Sequence, residues 1–340
     1  MLLNPSEAMT AVLALPALAA IVLMLIPGYR LPALLNIFAC LATFLCAVSL
    51  LSAVGTGGYY LFVDDLNVVF VVLSTFVGLT TSAFSASYIG HEIAVGKLSP
   101  VFVRFYHAMY QALMFAMNLA LLANNIGLMW VAIELATLTT VLMVGLYRTS
   151  EALEAAWKYF ILGSVGIALA LFGTILVYVA AQPVLGEGYD AMVWTRLVQR
   201  AADFSPSLLN VAFVFLMLGY GTKVGLAPMH AWLPDAHAEG PTPISAVLSG
   251  LLLNVALYAV LRFKMLLAVN ELALKPGPLL VALGLLSVIF AGFMLYKRRD
   301  IKRLFAYSSI EHMGIIAFAF GIGGPLANFG GLMHMTMHSL

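Results

Sequence analysis

Charged residues and cysteines are scarce in this chain. Of its 340 residues only 9% are charged and two are cysteines, whereas 63% are hydrophobic. So little charge cannot cover the surface of a soluble globule, which excludes the soluble classes of protein. The net charge of +1 offers no basic surface, so nucleic acid is not expected as a partner.

The sequence also lacks the usual signatures of bound cofactors and metals. It contains no glycine-rich phosphate loop and no Cys–His metal spacing. Cys40 and Cys46 lie in one apolar run, where a disulfide is sterically disfavoured. The sequence therefore predicts no cofactor, no metal and no catalytic residue on this chain. Any redox chemistry is expected on partner subunits.

Long apolar runs account for most of what is present, and the mean hydropathy is +1.03. These runs are apolar all round rather than alternating, so they predict membrane-spanning helices and not strands. The first run lacks a basic flank and a cleavage pattern, which indicates a span rather than a signal peptide. The predicted fold class is an all-α polytopic transmembrane helix bundle. Its roughly eleven spans are residues 8–26, 31–54, 66–87, 101–122, 126–147, 152–180, 208–226, 244–267, 277–296, 304–322, and one that begins near 327.

The last predicted span is short. Residues 327–340 cover about 20 Å of helix, which is less than the roughly 30 Å thickness of a bilayer core. We therefore expect the natural protein to continue beyond Leu340.

The basic residues of the predicted loops divide unequally between the two membrane sides. One side carries Arg30, Lys97, Arg104, Arg148, Lys297, Arg298, Arg299, Lys302 and Arg303. The other side carries Arg196, Arg200, Arg262, Lys264 and Lys275. Since basic loops favour the cytoplasmic side, the imbalance predicts that the first side is cytoplasmic and the N-terminus lies outside.

Three ionisable residues fall inside predicted spans: Glu134, Lys158 and Lys223. A charge at mid-bilayer costs at least about 2.5–3.5 kcal/mol, so such residues normally face the protein interior and mark an ion path. Two alternatives remain open. Lys158 has Glu154 one turn away and would pair with it at the interface, and Glu134 would form a static ion pair that only fixes helix packing.

Lys223 has the most unusual surroundings of the three. Gly219, Gly221, Gly225 and Pro228 flank it, so we expect the helix to loosen at the lysine, as discontinuous helices do at transport sites. Burial disfavours the charged amine and a nearby carboxylate favours it. At about 8 Å from Glu134 the attraction would be about 2 kcal/mol, enough to change proton occupancy.

The segment PMHAWLPDAHAEGPTP, residues 228–243, follows this lysine. It holds His230, Asp235, His237 and Glu239 among four prolines, which predicts an interrupted polar segment at the membrane surface or beside a cavity. A metal site is disfavoured because the prolines leave His230 and His237 without defined ligand geometry.

Three histidines lie in the final two spans. His312 follows the stretch RLFAYSSIE, and His334 and His338 share one helical face. Because histidine titrates near neutral pH, such a row is able to relay protons laterally. The alternative is that each ring satisfies a backbone carbonyl at a helix contact.

Four stretches carry a family resemblance: NNIGLMWVAIELATL, EALEAAWKYFILGSVGIA, TKVGLAPMHAWLPDAHAEGPTPISAVLSG and DIKRLFAYSSIEHMGI. They resemble the antiporter-like, proton-conducting membrane subunits shared by respiratory complex I, Mrp-type cation/proton antiporters and membrane-bound NiFe hydrogenases. The likeness runs from about residue 60 to the end. AHAEGPTPISAVLSGLLLNVALYAVLRF and SSIEHMGI most resemble the hydrogenase-4 component F and formate hydrogenlyase group.

The resemblance implies a bundle of two inverted five-helix repeats, each with one broken helix. On this basis residues 1–100 would be N-terminal helices, residues 101–268 the first repeat with its break near 219–243, and residues 269–340 an incomplete second repeat. Glu134 matches the glutamate of the fifth span and Lys223 the lysine of the broken helix. Lys158 matches a lysine of the sixth span in some members.

One position departs from the family pattern. Several complex I relatives carry lysine or histidine in the span after the break, where this chain has Asn254. An amide does not take up a proton near neutral pH, so transfer there would need water held by Asn254 or another route.

The resemblance favours an inner-membrane subunit that moves H⁺, with other membrane subunits and a peripheral redox arm of NiFe hydrogenase or NADH dehydrogenase type as partners. A bacterial or archaeal cell membrane is the expected location. Two alternatives remain: an Mrp-type Na⁺/H⁺ antiporter subunit, and a structural anchor without transport.

Overall fold

The computed structural model describes residues 4–296 and 299–340. The structure does not describe two of the basic residues on which the orientation prediction rests, Lys297 and Arg298, or the side chain of a third, Arg104. The described residues are mostly helical. The helices are α1 (Pro5–Leu25), α2 (Arg30–Ser49), α3 (Asp65–Ala94), α4 (Pro100–Leu122), α5 (Ile126–Val144), α6 (Ser150–Leu185), α7 (Trp194–Arg200), α8 (Pro206–Val224), α9 (Leu233–Glu239), α10 (Thr242–Val247), α11 (Leu253–Val269), α12 (Gly277–Leu295), α13 (Ile301–Ile322) and α14 (Gly324–Ser339).

The spans predicted from apolar runs are present as helices. Within the described residues, nine helical segments are long and apolar enough to cross a membrane. The two remaining predicted spans correspond to α4 and α14. Large apolar side chains such as Leu25 and Phe293 are more than 70% exposed, as expected where a helix faces lipid. The prediction of an all-α multi-pass membrane protein is confirmed.

Polar caps define where several helices begin. Asn4 and Glu7 form a reciprocal capping box at α1, and Asp64 and Asn67 form another at α3. Asn125 caps α5 through its side chain, which accepts a hydrogen bond from the backbone N–H of Leu128. Each cap satisfies backbone donors that the first helical turn leaves unpaired, which fixes the start of the helix.

Helices α6 and α8 pack with their backbones close together, because glycines line the seam between them. A Cβ atom on Gly219 would lie 2.5 Å from the backbone nitrogen of Ala170. A Cβ atom on Gly166 would lie 3.1 Å from the carbonyl oxygen of Gly219. Small residues permit this close approach of membrane helices. Helix α8 passes through Gly219 and Gly221 without interruption and continues to Val224.

Arg262 was counted among loop residues, and that assignment was wrong. It lies within α11, as does Lys264. Arg262 is only 1% exposed. The guanidinium donates hydrogen bonds of 2.6 and 2.8 Å to the two carboxylate oxygens of Asp64. The phenol of Tyr258 accepts a third at 2.8 Å. This paired geometry ties α11 to the start of α3.

Candidate functional site

Lys223 lies in the last turn of α8, and Gly225 ends the helix two residues later. Gly225 has a φ of 78°, a left-handed conformation that glycine adopts without steric cost. The break predicted next to the lysine is therefore present, but it begins after Lys223 rather than at it. The lysine residue is fully buried. A cation in this position is favoured by the partial negative charge of the helix C-terminus.

Two side chains of α5 contact the Lys223 amine. Nζ donates a hydrogen bond of 2.6 Å to Thr137 Oγ1 and lies 3.7 Å from Glu134 Oε2. The Glu134 side chain is 20% exposed, whereas that of Lys223 is 1% exposed. The separation is shorter than the 8 Å considered from sequence. At this distance and an effective dielectric constant near 20, the attraction is about 4 kcal/mol.

Helix α6 completes the surroundings of the amine. A Cβ atom on Gly163 would lie 2.9 Å from Lys223 Nζ, so the amine occupies space that only glycine leaves open. The ring of Tyr159 has its centroid 5.8 Å from Nζ, within the range of a cation–π contact. Helices α5, α6 and α8 thus hold the amine on three sides.

Lys158 does not join this pair. Its amine lies 2.6 Å from Glu154 Oε1 and 3.1 Å from Asp235 Oδ2. Asp235 also accepts a hydrogen bond from Arg303 at the start of α13. The pairing with Glu154 one turn away is present, and the contact with Asp235 was not anticipated. The Lys158 side chain is 47% exposed. The three charges of Lys158, Asp235 and Arg303 connect α6, α9 and α13.

The polar segment after α8 contains the short helix α9, Leu233–Glu239. The Trp232 ring nitrogen donates a hydrogen bond of 2.7 Å to the Thr222 carbonyl, which joins the segment back to the end of α8. His230 packs with its ring centroid 4.3 Å from that of Phe290. The His237 residue is 4% exposed.

The three histidines of α13 and α14 are in contact. His312 Nδ1 and His334 Nε2 are 2.9 Å apart and share a hydrogen bond. The ring centroids of His312 and His338 are 4.9 Å apart. His338 Nε2 is 3.2 Å from Ser249 Oγ, and Ser249 Oγ is 2.7 Å from Ser309 Oγ. The row therefore continues through two hydroxyl groups.

A π-helical turn at Leu248–Leu252 places Ser249 beside His338. Turns of this kind are rare and frequently occur at functional sites. Asn254 follows the turn and donates hydrogen bonds of 2.6 Å to Ser339 Oγ and 3.0 Å to the Gly250 carbonyl. It therefore joins α11 to α14 beside the histidines.

Sequence reasoning missed three residues of the site: Thr137, Gly163 and Ser249. Thr137 lies three residues after Glu134, so its presence on the same helical face was available as a signal. Gly163 and Ser249 carried no comparable signal. Among the described residues, no group of three or more His, Cys, Asp or Glu side chains is arranged to hold a metal ion.

Two comparisons relate the sequence to known proteins. Residues 123–340 match the family described as NADH:quinone oxidoreductase/Mrp antiporter, transmembrane. The chain is 64% identical over 330 residues to a hydrogenase-4 component F homolog of Methylacidiphilum infernorum (isolate V4). That alignment covers 97% of this chain and 69% of the relative.

Solved structures agree on the fold. An archaeal membrane-bound sulfane sulfur reductase complex contains a chain with a TM-score of 0.85 and 23% identity, covering 97% of this chain and 68% of that one. Respiratory complex I of Thermus thermophilus contains one with a TM-score of 0.74 and 25% identity, with coverage of 97% and 68%. The described fold is thus that of antiporter-like subunits from multi-subunit membrane complexes.

The site geometry agrees with the same assignment, because a buried lysine at a helix break faces a glutamate of α5. Given the family match over residues 123–340 and the 64% identity to a relative of which the chain covers 69%, the chain belongs to the NADH:quinone oxidoreductase/Mrp antiporter family of transmembrane subunits.

Proposed function

We propose that this chain translocates H⁺ as a membrane subunit of an energy-converting oxidoreductase complex of hydrogenase-4, formate hydrogenlyase or complex I-like type. The observation that carries the proposal is the fully buried Lys223 amine 3.7 Å from Glu134. An amine in this position is the group that binds and releases the transported proton. Redox chemistry takes place on partner subunits.

The Glu134–Lys223 separation sets the proton occupancy of the amine. Burial disfavours the ammonium form, and the carboxylate favours it in proportion to its proximity. Lengthening the separation from 3.7 Å to about 8 Å removes about half of the attraction, or roughly 2 kcal/mol. This change is about a thirtyfold shift in proton affinity. Movement of α5, driven by redox steps in a partner, would therefore discharge the lysine.

The histidine row carries the proton laterally after its release. His334, His312 and His338 are in consecutive contact, and Ser249 extends the row into the π-helical turn before α11. Each neutral imidazole offers one donor and one acceptor, so a proton is able to enter at one nitrogen while another leaves from the second. Asn254, the buried histidines His230 and His237, and Asp235 have a supporting role in this route.

The assembly follows from the same proposal. Other membrane subunits and a peripheral redox arm of NiFe hydrogenase or NADH dehydrogenase type would complete the complex. The chain would reside in a bacterial or archaeal inner membrane with its N-terminus outside. The excess of basic residues on one side supports that orientation.

The test is proton pumping by the full-length protein in its complex, measured in inverted membrane vesicles by quenching of a pH-sensitive dye. Lys223→Met and Glu134→Gln should abolish pumping while redox turnover persists. Lys275→Met is the matched control, because Lys275 is exposed between α11 and α12. Wild-type pumping in Lys223→Met would refute the proposal. Sodium-dependent H⁺ flux without a redox partner would instead identify an antiporter, and altered assembly with normal coupling would identify an anchor.

A further inference from the structure

A deep apolar groove opens between α4, α5 and α6 at the membrane surface. Its volume is about 650 Å³, within the range of roughly 300–1,000 Å³ typical of small-molecule sites. Its lining includes neither Lys223 nor any of the three histidines of α13 and α14. The apolar side chains that line it include Met109, Leu142, Leu146, Leu153, Trp157 and Phe160.

The groove starts at the membrane surface and extends inward. Its outer end lies at the connection between α5 and α6, where Arg148 and Leu146 line it. Its inner end reaches Phe160, seven residues beyond Leu153, which is about 10 Å along α6. A groove with this direction runs parallel to the acyl chains of the bilayer.

Among the residues that the structure describes, Arg148 provides the one charged group of the groove lining. It is exposed and has a φ of 57°, a left-handed conformation that no other described non-glycine residue adopts. Such a conformation costs roughly 1–2 kcal/mol for a residue with a Cβ atom. Glycine adopts this conformation without that cost, so an arginine at this position carries a local backbone cost.

We propose that this groove binds one anionic phospholipid of the surrounding bilayer, with an acyl chain between α4 and α6 and the headgroup phosphate on Arg148. Two features support this occupant over a partner helix. The lining is apolar where acyl chains lie, and the guanidinium at the surface matches a phosphate.

The test is native mass spectrometry of the full-length protein from nanodiscs that contain equal amounts of phosphatidylglycerol and phosphatidylcholine. The wild-type protein should retain one phosphatidylglycerol in preference to phosphatidylcholine. Arg148→Gly should retain it about fivefold less, since one basic residue near the surface contributes about that factor. The melting temperature of this variant is measured in parallel, which separates lipid loss from misfolding.

Two further variants locate the lipid. Arg148→Lys keeps the charge and should retain the lipid, and Ala156→Phe fills the groove and should lose it. Arg30→Gln is the control, because Arg30 is exposed, lies on the same side and is outside the groove. Equal retention of both lipids by the wild-type protein, or undiminished phosphatidylglycerol in Arg148→Gly or Ala156→Phe, would overturn the proposal. Cross-linking of a polypeptide to the groove in place of lipid would do the same.

Discussion

Lys223 donates its hydrogen bond to Thr137 Oγ1 at 2.6 Å, while its ionic partner Glu134 stands 3.7 Å away. The hydroxyl and the carboxylate lie three residues apart on α5 and therefore face the same side of that helix. The neutral hydroxyl of Thr137 thus fixes the position of the amine, and the carboxylate of Glu134 favours its charged form. Position and charge of the amine are controlled by different side chains.

The first prediction concerns the Thr137 hydroxyl, which fixes the position of the Lys223 amine. Thr137→Val should lower proton pumping at least about tenfold, because a hydrogen bond to a charged group is worth about 1.5–3 kcal/mol. Thr137→Ser should restore pumping, since it returns the hydroxyl. Thr139→Val is the control, because Thr139 Oγ1 bonds only to carbonyls of its own helix. Normal pumping in Thr137→Val, measured by dye quenching in vesicles, would show that the hydroxyl has no part in transport.

The second prediction uses the space beside the amine. Gly163→Ala would place a Cβ atom 2.9 Å from Lys223 Nζ, which is the mobile end of a flexible side chain. We expect the amine to shift while the fold persists, with a tenfold to hundredfold loss of pumping, typical of roughly 1 Å misplacement at an active group.

Two other glycines show whether this loss is specific. Gly292→Ala should have no effect, because nothing lies within 4 Å of its added Cβ atom. Gly219→Ala should lower the melting temperature instead, since its Cβ atom would meet backbone atoms of α6. A drop in melting temperature for Gly163→Ala equal to that of Gly219→Ala would contradict the interpretation.

The third prediction addresses the histidine row. His312 lies between the other two rings, so His312→Ala should interrupt transfer more completely than His334→Ala. The measurement is the ratio of protons pumped to electrons transferred in the intact complex. His91→Ala is the control, because His91 is exposed at the end of α3. An unchanged ratio in His312→Ala would show that the three histidine rings serve only in helix packing.

The fourth prediction concerns Asp64 and the buried Arg262. Burial by itself would raise the pKa of Asp64, but hydrogen bonds from Arg262 and its charge outweigh that effect and hold the pKa below its usual value. The ion pair stabilises the folded state fully at pH values above the pKa of Asp64 in the unfolded chain, which is about 3.9. It is lost as pH falls through the lower, folded pKa. The melting temperature of the full-length protein should therefore decline below about pH 4.

Removing the carboxylate should cost stability at pH values above about 4, where the wild-type group is ionised. Asp64→Asn leaves Arg262 buried without its counter-ion, which costs about 3 kcal/mol for such pairs. It should also flatten the decline of melting temperature at acid pH. Asp203→Asn is the comparison, because Asp203 pairs with Arg200 while both side chains are 53% exposed, and such pairs contribute less than about 1 kcal/mol.

The fold was predictable because apolar length carries most of the information. A span requires about 20 apolar residues, so each run yields one helix with small errors at its ends. Burial within the bundle was harder to predict. Arg262 was counted among the basic residues of the loops, whereas it lies buried in α11. Its partner Asp64 is 198 residues away, and local patterns do not record such a pairing.

The site was predictable where charge is rare. Glu134 and Lys223 were identified because ionisable side chains at mid-bilayer are costly. Hydroxyl groups gave no such contrast, since Thr137 also bonds to the Ile133 carbonyl of its own helix, as threonines in membrane helices commonly do. Gly163 was unremarkable among 28 glycines. Its importance depends on which atom of α8 lies opposite, and only three-dimensional packing determines that.

The glycine seam between α6 and α8 restricts how the site is able to move. With Gly219 in contact with the backbone at Ala170, the helix that carries the lysine has no room to slide or approach further. A tightly packed seam of this kind transmits force as one rigid body. The separation of the pair therefore changes through α5 or through the lysine side chain, and not through sliding of α8 along α6.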